Sequence, residues 1–230
     1  MRTVQHQSAS TGTTRAGFSL IEMLVVISVL AILGTLIFTV TQKAYISSQK
    51  TIAMSGLREV ATAIQLYSQD NDGYLPGPLW STTNGYYGND NRSLGYHLYS
   101  YLGLPEPETG TSYQIPQLTC PLFEEMRIAN GTPCYFITQR VKIGSANRNP
   151  WGYRSTTQEV GEGTPPQKFG TVLLSNEAAD TTAMYAADAA NVTNPNAGWA
   201  ANLIPEPLFG TERLHLYFDW HVDFVPITED

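Results

Sequence analysis

Glu22 is the only charge within residues 18–40, a run of 23 residues that is otherwise mostly apolar. As a helix rising 1.5 Å per residue, such a run spans roughly 35 Å, enough to cross a bilayer core. A carboxylate in that setting costs on the order of 3 kcal/mol on insertion scales, so it needs a cationic partner or an interfacial position. A second group, His215, Asp219, His221 and Asp223, lies within nine residues near the C-terminus. On a strand, His215 and the offset pair 221/223 could share one face as metal ligands or acid–base groups. With no further ligand set in view, they read as solvent-facing strand residues beside a core face. Asp70-Asn71-Asp72-Gly73 is the nearest approach to a calcium loop and reads more simply as a helix-ending turn. The patterns GxSxG, HExxH, GxxxxGK[ST] and GxGxxG are all missing from the chain. No catalytic residue, metal ligand or cofactor is assigned, and the chain is not expected to be an enzyme.

A helix must hold Glu22, and its flanks set its direction. Arg2 and Arg15 precede the apolar run, while Glu59, Asp70 and Asp72 follow it. The positive-inside rule places residues 1–17 in the cytoplasm and the bulk of the chain outside. Residues 1–17 do not follow the order of a secretory signal, because the apolar segment comes after Gly17 and would be kept. The whole chain carries −7 and this leader +2, which leaves −9 on the remainder. That balance, with no basic face in view, argues against nucleic acid as a partner.

Beyond residue 40 the helical pattern changes character without stopping. Ala53, Leu57, Val60, Ile64 and Tyr67 form one apolar stripe at 4-3-4-3 spacing. No proline occurs from there until Pro76. One helix is therefore expected from about residue 19 to about 69, with Gly56 as a weak point and Asn71 and Gly73 as left-handed caps. Residues 73–117 and 144–168 are rich in Gly, Pro, Asn and aromatics and should be largely irregular, with a short helix near 95–102. Strands are expected at 134–138, at 171–175, and as a pair at 214–218 and 221–225. The Asp219-Trp220 link suits a tight two-residue turn poorly, so a longer or distorted turn is expected. Trp80, Tyr86, Tyr87, Trp151 and Tyr153 could pack a loop-rich core or form a sugar- or protein-binding surface. Cys120 and Cys134 are the only cysteines, with thirteen residues between them. An even count in an exported domain points to one disulfide, the alternative being two buried thiols.

The string Arg15-Ala16-Gly17-Phe18-Ser19-Leu20-Ile21-Glu22-Met23-Leu24-Val25-Val26-Ile27 resembles the N-terminal cleavage and methylation motif of type IV prepilins and type II secretion pseudopilins. Weaker similarity continues in Tyr74-Leu75-Pro76, Leu118-Thr119-Cys120-Pro121 and Phe218-Asp219-Trp220-His221-Val222, where Trp220 stands in place of the usual glycine. The resemblance implies cleavage between Gly17 and Phe18 by a prepilin peptidase, N-methylation of Phe18, and an assembly role for Glu22. It implies other pilin or pseudopilin subunits, an inner-membrane assembly platform and the lipid bilayer as partners. The implied location is the bacterial inner membrane, single-pass, with the C-terminal domain periplasmic or in a filament. The expected architecture is α+β: a leader at 1–17, a membrane or filament-core helix at 18–40, its amphipathic continuation at 41–72, and a globular head at 73–230 with a small antiparallel sheet and long loops. A structural filament subunit is the first reading, and a membrane-anchored binding or adhesin domain is the alternative. Cleavage after Gly17 with retention of the helix separates the two.

Overall fold

The computed structural model describes residues 19–175 and 180–228. Helix α1 runs Leu20–Asp70. In chain order follow β1 (Thr82–Asn84), β2 (Tyr86–Tyr87), α2 (Leu94–Leu98), β3 (Tyr113–Gln114), α3 (Pro121–Met126), β4 (Pro133–Ile137), β5 (Val141–Ile143), β6 (Ala146–Arg148), α4 (Phe169–Ser175), β7 (Thr182–Ala186), β8 (Glu212–Tyr217) and β9 (Val222–Pro226). This is an α+β arrangement, with the chain forming two compact units divided between Tyr45 and Ile46.

In the second unit, the apolar stripe of α1 supplies one side of the core. Ala53, Leu57, Val60 and Ile64 are buried, and Tyr67 packs at the edge. The sheet supplies the other side. Its order is β1-β4-β7-β8-β9, antiparallel throughout. Leu214 and Leu216 alternate with His215 along β8 and join the same cluster as the helix stripe. All five residues of β4 are buried, so the sheet is also covered on its second face. There Phe136, Ala187 and Leu203 form a smaller cluster, with Tyr185 and Trp199 packed against it.

Gly56 is a point of close approach rather than a weak point. A Cβ on it would fall 2.2 Å from the Gln117 carbonyl oxygen, so only glycine lets the turn at Pro116–Leu118 lie against the helix. Nearby, the Gln49 side chain accepts from the Leu122 N–H at 3.2 Å, and Lys50 pairs with Glu212 on β8. The helix ends as its sequence implies, with one correction. The Gly73 N–H reaches back to the Ser68 carbonyl at 2.8 Å, and the left-handed residues are Asp72 and Gly73, not Asn71. Asn71 instead donates its side-chain amide to the Tyr67 carbonyl.

The strands expected at 134–138 and at the C-terminus form as β4, β8 and β9. Residues 171–175 form no strand; they belong to α4, where the Lys168 carbonyl accepts from Thr171 and Val172. A five-residue apolar run carries no period that separates a turn of helix from a strand. Within 73–117, expected to be irregular, β1 pairs with β4, β2 pairs with β3, and α2 occupies the start of the anticipated helix. The connection from β8 to β9 spans residues 218–221, with Trp220 at φ 72°. Its ring packs on Phe169 at 4.7 Å between centroids, a contact glycine could not make.

Candidate functional site

Glu22 sits in the first turn of α1, and its carboxylate is already engaged. Oε2 accepts from the Ser19 backbone N–H at 2.7 Å, and the Met23 N–H donates to the Ser19 carbonyl at 3.2 Å. This is one half of a capping box, in which an acid three residues into the helix satisfies the backbone of the residue before it. The negative charge also lies at the positive end of the helix dipole. Sequence reasoning missed this role, although Ser19-Leu20-Ile21-Glu22 ahead of an apolar run is its signature. The cleavage junction Gly17-Phe18, the N-methylation position and the leader lie outside the described residues.

From Leu20 to Val40, α1 is apolar on every side. The large apolar side chains from Leu20 to Val40 are all exposed, between 48% for Met23 and 83% for Leu20. By length and composition α1 can cross a membrane, and it is the one such helix among the described residues. Three of its hydroxyls are internally satisfied: Ser28 donates to the Leu24 carbonyl, Thr35 to Ile32 at 2.8 Å and Thr41 to Ile37 at 2.8 Å. These three hydroxyls can thus enter an apolar medium without losing a partner.

Cys120 and Cys134 come together in the head without a bond between them. Both are buried free thiols lining the same small apolar cavity, beside Phe123 and Leu214. Cys120 precedes α3 and Cys134 lies on β4. Burial pushes both thiols upward, Cys134 well above its ordinary value, with the Glu124 carboxylate adding to the effect. The expected disulfide is therefore not formed in this structure.

The C-terminal group does not converge. His221 Nδ1 contacts Asp219 Oδ1 at 2.6 Å at the exposed turn. His215 is not solvent-facing: it is half-buried, with ring centroids 5.8 Å from Tyr185 and 6.1 Å from Tyr217. Burial, with the Arg213 charge adding to it, lowers its pKa. Asp223 sits across from it on β9 but faces water. Among the described residues no cluster of His, Cys, Asp or Glu is placed to hold a metal. The aromatic set divides in the same way. Trp151 is fully buried and stacks on Phe218, Tyr87 is 2% exposed, and Trp80 is covered on one face by the Arg92 guanidinium at 4.2 Å.

The apolar part of α1 is long and apolar enough to serve as a membrane anchor, and it begins with an acid-capped first turn. Residues 13–38 match the family model described as Prokaryotic N-terminal methylation motif, the prepilin-type cleavage and methylation signature. No curated protein and no solved structure matches the chain.

Proposed function

We propose that this protein is a structural, non-catalytic subunit, a pseudopilin or minor pilin-like protein, of a type II secretion or type IV pilus-like filament. A prepilin peptidase cuts between Gly17 and Phe18 and the new Phe18 amine is methylated. The helix then sits in the inner membrane with its head in the periplasm, until an inner-membrane assembly platform adds the subunit to others of its kind. The observation that carries this reading is the uncovered apolar stretch of α1 up to Val40, with Glu22 as its only charge and the methylation motif spanning residues 13–38. The chemistry is charge pairing. After cleavage, each subunit presents a cationic amine at Phe18 and a carboxylate at Glu22. In parallel packing the amine of one subunit meets Glu22 of a neighbour, which converts two costly buried charges into a pair and fixes axial register. Intact-protein and N-terminal peptide mass spectrometry of the membrane-extracted protein should find methyl-Phe18 as the first residue. An uncut Met1 in cells with active prepilin peptidase defeats the proposal.

A further inference from the structure

Within the acidic head, residues 73–230, one long stretch has no acid in it. Between Glu125 and Glu159 lie Arg127, Arg140, Lys142, Arg148 and Arg154, and not one carboxylate. Arg127 pairs with Glu124, and Arg140, Lys142 and Arg148 are exposed to water. Arg154 has neither outlet. It is 8% exposed, and its single hydrogen bond runs from Nη2 to the Asn91 side-chain carbonyl. Its Nε is buried with no acceptor, and among the described residues no carboxylate reaches it as an ion pair. The contrast within the fold is Arg213, also largely buried, which holds both oxygens of Asp188 at 2.7 and 3.0 Å. A guanidinium carries five N–H donors and cannot shed its charge by losing a proton. Burying one without a counter-charge is destabilising unless a ligand supplies that charge.

Arg154 lines a cavity of ≈ 250 Å³. Pro78, Val160, Pro165 and Pro166 make its apolar walls, and Asn91 stands beside the guanidinium. The wall at residues 161–163 is brought in by Gly163, at φ 93°, whose missing Cβ would lie 2.4 Å from the Tyr153 carbonyl oxygen. Glu162 is on the same wall, but its Oε2 is turned to the Glu159 N–H at 2.9 Å.

We propose that this cavity binds a small carboxylate, whose oxygens take N–H groups at the Nη end of the Arg154 guanidinium while a short apolar stem lies against the prolines and Val160. A planar carboxylate matches the guanidinium fork with two oxygens. A phosphate has further oxygens to satisfy, and apart from Arg154 the lining offers only Asn91 and Thr164 as polar side chains that can donate, beside the like charge of Glu162. The site is in the head and does not depend on the filament reading. A short organic acid and a free peptide C-terminus present the same chemistry, and the test separates them.

The full-length chain in detergent is titrated with propionate, N-acetyl-alanyl-alanine, the amide of that dipeptide, phosphate and chloride. Unfolding is followed by tryptophan fluorescence and the Arg154 Nε–H resonance by NMR. Propionate should raise the unfolding temperature saturably, as a ligand of the folded state does, and chloride should not. Binding of the dipeptide acid but not its amide identifies a peptide terminus as a ligand, and exclusion of the dipeptide with retention of propionate restricts the site to free acids. Arg154→Gln should weaken binding at least about tenfold, and Glu162→Gln, which removes a like charge from the wall, should tighten it about threefold. Saturable binding undiminished in Arg154→Gln, or preference for phosphate over every carboxylate, overturns the proposal. Should Arg154→Gln not fold, the wild-type resonance decides: a shift on adding propionate sustains the site, and its indifference removes it.

Discussion

Glu22 has two candidate roles, capping its own helix and pairing with a neighbour's amine, and two substitutions separate them. Glu22→Gln keeps an oxygen that can accept from the Ser19 N–H but removes the charge; Glu22→Ala removes both. The cap is a 2.7 Å bond to a carboxylate in the first turn. Replacing an ionised acceptor by a neutral one costs about 1 kcal/mol, including the lost dipole interaction, and deleting the acceptor costs about 2 kcal/mol. In the proposed filament, either substitution would leave the Phe18 amine without its counter-charge. Breaking a buried pair costs about 3–5 kcal/mol, less whatever is recovered if the amine deprotonates. At 1.4 kcal/mol per factor of ten, that weakens subunit association by up to roughly two to three and a half orders of magnitude. Charge pairing therefore predicts that Gln and Ala fail alike, whereas capping alone predicts that Gln behaves as wild type. Both variants should still be cut after Gly17, and Glu22→Gln should enter the bilayer more easily. Crosslinking between cysteines engineered on neighbouring helices reads assembly, and the N-terminal mass reads processing. A Gln variant that crosslinks into filaments as well as wild type, beside an Ala variant that does not, refutes the pairing argument and leaves Glu22 as a helix cap.

In protein isolated from the oxidising side of the membrane, Cys120 and Cys134 should form a disulfide, since their thiols line one cavity; a non-reducing peptide map showing both free counts against it. While reduced and folded, both should resist alkylation near neutral pH, because burial keeps them as thiols. Gly56→Ala should lose about 2–3 kcal/mol despite alanine's better helix propensity, because its Cβ would collide with the Gln117 carbonyl. Thermal denaturation should show a drop of roughly 5–10 °C, and a stabilised variant would disprove the close approach. Burial lowers the pKa of His97 below the ordinary 6.5, only partly offset by its contact with the Asn91 carbonyl. Its contribution is complete above the unfolded value and is lost as pH falls through the folded one, because the unfolded chain takes up the proton first. Stability should decline on acidification below about pH 6.5, and His97→Gln should flatten that decline.

The helix was legible because long-range packing does not decide it. A run free of proline, apolar first and striped afterwards, specifies α1 in lipid or against a core. The strand pair β8 and β9 was legible for the same kind of reason, through the alternation of Leu214 and Leu216 with His215. What escaped depends on contacts distant in sequence. Nothing near Gly56 announces that Gln117 will lie against it, and nothing near residue 171 says whether Thr-Val-Leu-Leu-Ser will find a strand partner. Arg154 is a similar case, since an arginine in a Gly/Pro-rich loop gives no sign of being buried. The Ser19–Glu22 cap is different. It is local and readable, a serine followed three residues later by an acid at the head of an apolar run.

The hydroxyls of Ser28, Thr35 and Thr41, turned back onto carbonyls of their own helix, bear on reversibility. A segment whose polar atoms are closed on themselves has nearly the same solvation in acyl chains as among other apolar helices. Moving it from one to the other therefore releases little hydrophobic free energy in either direction. For such a segment the membrane and the filament core act as two phases of similar solvent quality. The balance between them is then left to the charges at its N-terminal end, to helix packing, and to whatever work an assembly machine performs. A filament built this way can be taken apart by returning its subunits to the bilayer, without unfolding them.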